Sequence, residues 1–208
     1  PVVVGIDRAG LVGDDGDTHQ GVFDISMLRS IPNLILSQPH DAKEAQNLLY
    51  TAFISQKPFC IRYPRGNVHY DKVDQYELIP IGSWTRYDIG DKPICIVISY
   101  GYDVDNVIHK TKENNISMIV INARFFKPID TIMIDELCSY DLPVYVYETD
   151  CKIGSLSSAI LEYINTQKHI LNTIGIEDHF VNHGSIRTLR IQEHIDTQSL
   201  FKEIIEND

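Results

Sequence analysis

Short, wholly apolar runs alternate along this chain with longer stretches whose apolar positions recur every three to four residues. Residues 1–6 (PVVVGI), 33–36 and 59–61 are runs of the first kind, which predicts strands buried on both faces. Residues 41–54 are of the second kind. Ala42, Ala45, Leu48, Leu49 and Ala52 form the apolar stripe of a helix, with Asp41 as N-cap and Glu44 three positions on in a capping box. Residues 79–89 alternate and predict a strand or hairpin. The second half repeats strand and helix more regularly. Strands are expected at 94–99, 117–122, 144–147 and 171–176. Helices are expected at 104–113, 130–139, 155–166 and 197–205, and another after His183. Alternation of this kind predicts an α/β protein with parallel sheets covered by helices.

Two units follow from the pattern. Residues 1–66 hold only a few elements, small and incomplete for an independent doubly wound domain. Residues 67–78 (NVHYDKVDQYEL) are polar and aperiodic, as a linker is. Residues 79–208 have ordinary domain size. Pro1 opens directly into an apolar run, so a chain cut or processed from something longer is expected.

Charge narrows the partners. A formal net charge of −11 repels nucleic acid and anionic membrane, so any anionic substrate must be met by local cations. No apolar run approaches the roughly 20 residues of a membrane span, and no signal peptide is expected. Cys60, Cys95, Cys138 and Cys151 form no CxxC pair. They are expected as reduced, mostly buried thiols in a reducing compartment, without a metal site.

The densest chemistry lies at residues 7–24, DRAGLVGDDGDTHQGVFD, directly after the first strand, where open α/β sheets place ligands. Its glycines permit close backbone approach, and it carries Arg8, Asp14, Asp15, Asp17 and His19. A solvated turn has similar composition. A calcium loop does too, but the EF-hand spacing is absent. His19 is a candidate for proton exchange or for a plain hydrogen bond. In RYPRG (62–66), Arg65 stands at a strand end, as Arg8 does. On one rim, the two guanidiniums make a phosphate pocket; the alternative is a pair of surface ion pairs with nearby aspartates. Arg124 and Lys127 are read as capping or pairing groups. Glu148, Asp150 and Gly154 suggest packing more than an anion site, and His183 a cap or hydrogen bond.

The run from Ile6 to Asp24, with its DRAGLVG and THQG strings, resembles the 1-deoxy-D-xylulose-5-phosphate synthase family. LRSIPN (28–33), LLYTA (48–52), RYPRG (62–66), IGSW (81–84), NARFFKPID (122–130) and FVNHGS (180–185) continue the resemblance in order over nearly the whole chain. THQG alone is shared with transketolases and with the pyruvate dehydrogenase β subunit; DRAGLVG, RYPRG and NARFFKP together are more specific. The resemblance implies a thiamine-diphosphate enzyme of three α/β domains. This chain would supply the later part of the pyrimidine-binding parallel-sheet domain, followed by a transketolase C-terminal-like α/β domain.

The implied reaction joins pyruvate and D-glyceraldehyde 3-phosphate, with loss of carbon dioxide, to give 1-deoxy-D-xylulose 5-phosphate. The product would feed isoprenoid and thiamine biosynthesis. The implied cofactors are thiamine diphosphate and magnesium, with most ligands upstream; no cofactor or metal ligand is assigned here. Arg8 and Arg65 would hold the phosphorylated aldehyde. His19 would lie near the reactive carbon, and Asp15 would position groups in the same pocket. The implied partners are the missing N-terminal portion of the same enzyme, small-molecule substrates and a second copy in a homodimer, in the cytoplasm. The chain alone is expected to be inactive. The alternatives are another transketolase-like or 2-oxo-acid dehydrogenase β-type enzyme, and a non-catalytic dimerisation module.

Overall fold

The computed structural model describes residues 1–13, 15–68, 75–164 and 171–206. The first part of the chain runs β1 (Val3–Ile6), a 3-10 turn (Asp17–His19), α1 (Asp24–Arg29), β2 (Ile35–Ser37), α2 (Ala42–Ser55) and β3 (Phe59–Arg62). Then come β4 (Thr85–Ile89), β5 (Cys95–Ser99), α3 (Asp103–Glu113), β6 (Met118–Asn122), β7 (Phe125–Lys127) and α4 (Thr131–Leu137). The chain continues through β8 (Val144–Cys151), α5 (Leu156–Ile164), β9 (Leu171–Ile176), α6 (Ile186–Gln192) and α7 (Thr197–Glu206).

These elements build two sheets, in the orders β1-β3-β2-β7 and β4-β6-β5-β8-β9. β1, β3 and β2 are mutually parallel, as are β6, β5, β8 and β9. Each sheet also carries one antiparallel strand, β7 on β2 and β4 on β6. The fold is therefore α/β with mostly parallel sheets.

Several elements depart from the expectation. β1 is not buried on both faces: Val2 is 56% and Val4 39% exposed, because β1 is the sheet's edge strand and its outer face is uncovered among the described residues. β7 was not anticipated. It comes from the NARFFKP segment, pairs Leu36 with Lys127, and so lends the first sheet a strand from the second half of the sequence. α1 was not anticipated either. The strand expected within 79–89 occupies only Thr85–Ile89, and residues 165 and 166 of the expected 155–166 helix lie outside the described residues.

The start of α2 shows the capping box. The Glu44 amide donates to Asp41 Oδ1 at 2.6 Å, and the His40 amide donates to Glu44 Oε2 at 2.8 Å. Its buried face, however, runs through Glu44, Asn47, Leu48, Thr51 and Ala52, while Leu49 points outward. The polar members of that face are matched. Asn47 Oδ1 accepts from the Glu77 amide at 3.0 Å and Thr51 Oγ1 from the Ile79 amide at 2.9 Å. The inward face is therefore part apolar, through Leu48 and Ala52, and part polar with each polar group paired.

One apolar cluster is shared by both sheets. It includes Leu48, Phe59 and Phe125 on one side and Ile98 and Ile121 on the other. Trp84 sits within it and donates from Nε1 to the Phe125 carbonyl at 2.9 Å. A second cluster packs α3 and α7 on the far side of the second sheet. None of the four cysteines is in a disulfide, and Cys60, Cys95 and Cys151 are buried. No helix among the described residues is long and apolar enough to cross a membrane.

Candidate functional site

The loop after β1 is held by backbone bonds to a fixed course. The Ala9 amide donates to the Tyr63 carbonyl at 3.0 Å, which ties this loop to the one after β3. Gly10 and Gly21 exchange amide–carbonyl bonds at 2.9 and 2.8 Å. A Cβ on Gly21 would lie 2.1 Å from the Arg8 carbonyl oxygen, so only glycine allows this approach. Arg8 itself adopts φ 62, a left-handed conformation that is rare outside glycine and costs energy.

That course delivers Arg8 to the same rim as Arg65. Arg8 Nη1 lies 2.5 Å and Arg65 Nη1 3.0 Å from one oxygen, Asp15 Oδ2. The two donor nitrogens are therefore no farther apart than those two bonds laid end to end. The three side chains keep 41%, 53% and 31% of their surface in solvent, respectively for Arg8, Arg65 and Asp15, so the cluster is open to a ligand. His19 ends the 3-10 turn of the same loop and is exposed. Its Nδ1 lies 3.1 Å from Thr18 Oγ1, and it makes no hydrogen bond to Arg8, Asp15 or Arg65 among the described residues. Asp14 lies outside the described residues.

Gln20 anchors this loop. Its Oε1 accepts from the Val12 amide at 2.8 Å, and its Nε2 donates to the Asn182 carbonyl at 3.2 Å. The FVNHGS segment is thus a brace for the loop, and His183 is exposed.

Beneath the loop lies a buried ion pair. Arg62, the first residue of RYPRG, is fully buried at the end of β3 and bonds the Asp150 carboxylate of β8 with two nitrogens, at 2.7 and 3.2 Å. It also donates to the Gly21 carbonyl at 2.8 Å and to Asp24 Oδ2 at 3.2 Å, holding both ends of the loop's second half. Tyr100 Oη donates to Asp150 Oδ2 at 2.5 Å, and its ring meets Phe126 edge-on. Burial works against the Arg62 charge, but the Asp150 carboxylate outweighs it and the guanidinium pKa rises. Burial, then Asp150, pushes the Tyr100 phenol well above its ordinary range, so it stays protonated and donates. Arg62 was not among the expected site residues, yet its residue type in a buried strand is a signal, because a buried arginine requires a buried partner.

The remaining candidates have structural roles. Arg124 pairs with Glu44 at 3.0 Å, and Asn122 Nδ2 donates to the same carboxylate at 3.0 Å. Lys127 donates to the carbonyls of Arg29, the last residue of α1, and of Ile31 just beyond it, both at 2.6 Å. Glu148 caps α5 from below, accepting from the Leu156 and Ser157 amides at 2.8 and 3.0 Å. Burial pushes its carboxyl up to about 7, against those bonds. The N-terminus of α5 is therefore already occupied by a carboxylate.

A cavity of about 410 Å³ opens beside the cluster, between the C-terminal ends of strands from both sheets. Arg65, His40 and Tyr102 line it, whereas Arg8, Asp15 and His19 are not on its walls. Burial lowers the tendency of His40 to protonate, but Asp105, 3.3 Å from Nδ1, with Glu44 and Asp41, raises its pKa overall.

The arrangement suits binding of a phosphate by two guanidiniums. It does not suit a divalent cation: Asp15 is committed to two arginines, and no group of three or more His, Cys, Asp or Glu side chains among the described residues is placed to hold a metal. The magnesium-bound diphosphate of a thiamine cofactor does not fit the residues described.

Comparison with known proteins gives this geometry a family. The profile of the transketolase pyrimidine binding domain matches residues 1–70, and that of the transketolase C-terminal domain matches residues 90–198. Among curated proteins, a 1-deoxy-D-xylulose-5-phosphate synthase of Aquifex aeolicus is 38% identical over 98% of this chain and 33% of its own length. One of Listeria welshimeri is 39% identical over 89% of this chain and 30% of its own, and one of Bacillus cereus 36% over 98% and 33%. The chain thus spans about a third of the length of the curated relatives it matches. A solved structure described as a split gene transketolase, inactive beta4 tetramer, superposes with a TM-score of 0.78 at 20% identity, covering 99% of this chain and 65% of that one. Matched along both halves, with the two sheets to go with it, the chain belongs to the transketolase family.

Proposed function

We propose that this chain is part of a thiamine-diphosphate-dependent transferase that condenses pyruvate with D-glyceraldehyde 3-phosphate, releasing carbon dioxide and giving 1-deoxy-D-xylulose 5-phosphate. The observation that carries the reading is the convergence of Arg8 and Arg65 on one oxygen of Asp15. A phosphate monoester has the charge and spacing to replace that carboxylate between the two guanidiniums. The curated relatives bear the name of this synthase at 36–39% identity.

In this reading Arg8 and Arg65 bind the aldehyde's phosphate, and the Asp15 carboxylate, positioned in the same pocket, occupies their site until substrate displaces it. His19, exposed on the same loop, exchanges a proton with the reacting oxygen. The cofactor supplies the carbanion chemistry when bound. Its diphosphate and magnesium are assigned to the part of the protein that the relatives carry and this chain does not. Residues 1–66 are the later part of the pyrimidine-binding domain, 67–78 a linker and 79–208 the C-terminal domain. Of the linker, 69–74 lie outside the described residues. The natural partners are the N-terminal portion of the same enzyme and a second copy. Mostly buried thiols outside any disulfide suit the cytoplasm.

The test is an assay for decarboxylative condensation of pyruvate with D-glyceraldehyde 3-phosphate. The expected result is no turnover by the 208-residue chain alone and turnover once the N-terminal portion is supplied. Absence of activity in the completed protein, with folding verified, would reject the assignment.

A further inference from the structure

We propose that the groove between α3, α6 and the start of α7 is a second anion site, which takes a phosphate-bearing small molecule. The groove encloses about 740 Å³. Lys110 and His109 reach it from α3, Arg187 and Arg190 from α6, and Lys202 from α7; among the described residues Asp196 is the one acid on its walls. In a chain of net charge −11, four permanent cations drawn from three separate helices are not the polar face of a single helix. Gathering them costs mutual repulsion that an anion would relieve.

Asp103 offsets the charge of Arg190, but the other counter-charges do little to relieve the repulsion. Asp196 is spent on the helix start, accepting from the Gln198 and Ser199 amides at 3.0 and 3.1 Å. Arg187 is exposed and makes no ion pair among the described residues. Among the described residues, Lys110 pairs only with Glu113 of its own helix, at 3.5 Å, and Lys202 only with Glu206 of its own, at 3.7 Å. Such long, exposed pairs contribute little and yield readily. Arg190 differs from these. Its Nη2 bonds Asp103 Oδ1 at 2.5 Å and the Tyr147 hydroxyl at 2.7 Å, which makes it a fixed floor beneath more exposed cations. A rigid guanidinium beneath flexible ammonium groups, in a concave site, fits a compact polyanion such as a phosphate ester or a diphosphate.

The groove shares Tyr102, Ile186 and Arg190 with the 410 Å³ cavity but none of Arg8, Asp15 and Arg65, so Arg65→Ala tells the two sites apart. The probe is inorganic pyrophosphate, titrated into the full chain by calorimetry and by amide chemical shifts. Saturable binding is expected, with shifts at His109, Lys110, Arg187 and Gln198. The double variant Arg187→Ala, Lys202→Ala should weaken it by about tenfold or more for each cation lost, whereas Arg65→Ala should leave these shifts unchanged. Both substituted side chains are exposed, and a circular dichroism spectrum matching the parent confirms folding. Three results would overturn the proposal: shifts that never saturate, affinity unchanged in the double variant, or shifts confined to the Arg8–Arg65 loop and abolished by Arg65→Ala.

Discussion

Arg62 and Asp150 are 88 residues apart in sequence, yet two guanidinium nitrogens and two carboxylate oxygens meet at 2.7 and 3.2 Å with both side chains closed to water. The bond joins the end of β3 in one sheet to β8 in the other, directly under the loop that carries Arg8 and Asp15. It therefore links the scaffold of the second domain to the geometry of the candidate site.

Asp150→Ala strands a buried guanidinium. The expected cost is about 3–5 kcal/mol, the range for breaking one partner of a buried pair. Chemical denaturation of the chain and its variant measures it. A change below about 1 kcal/mol would mean that water replaces the carboxylate and that the pair is not a clamp.

Asp15→Asn should behave in the opposite way. Its pairs with Arg8 and Arg65 are substantially exposed, and exposed pairs contribute about 0–1 kcal/mol. Stability should hardly move. Inorganic phosphate should bind the Arg8–Arg65 rim more tightly, because a neutral amide no longer competes for the guanidiniums. Phosphate titrations followed at the Arg8 and Arg65 side-chain resonances decide this; weaker binding would show that Asp15 organises the arginines rather than occupying their site.

Glu148 sets a pH dependence. Its folded-state pKa is raised to about 7 by burial, from an ordinary 4.5. For an acid shifted upward, the folded state holds the proton more tightly, so stability falls as pH rises from about 4.5 to about 7. At full extent the loss is on the order of 3 kcal/mol. Thermal unfolding of wild type and Glu148→Gln across this window should show wild type falling more steeply. Parallel curves would contradict the assignment.

Much of this was legible in the sequence. The alternation of apolar runs and helical periods gave the α/β class, and the Asp41–Glu44 spacing gave the start of α2. The positions of Arg8 and Arg65 just after strands suggested a shared rim, which the structure brings together on Asp15. What escaped depends on distant partners. β7 is three residues long and exists only because β2 offers an open edge. β1 has the composition of a buried strand and lies at an edge, since the pattern of a strand does not state its neighbours. Arg62 and Gln20 hold the loop through residues far along the chain, and local spacing carries no trace of either contact.

The most direct measurement compares D-glyceraldehyde 3-phosphate with unphosphorylated D-glyceraldehyde as acceptor, using Arg65→Ala in the protein completed with its N-terminal portion. Loss of one charge-assisted contact, about 1.5–3 kcal/mol, should raise KM for the phosphorylated acceptor roughly ten- to hundredfold. The kinetics with the unphosphorylated one should scarcely change. Equal losses for both acceptors, or none for either, would contradict the claim that Arg8 and Arg65 exist to hold a phosphate.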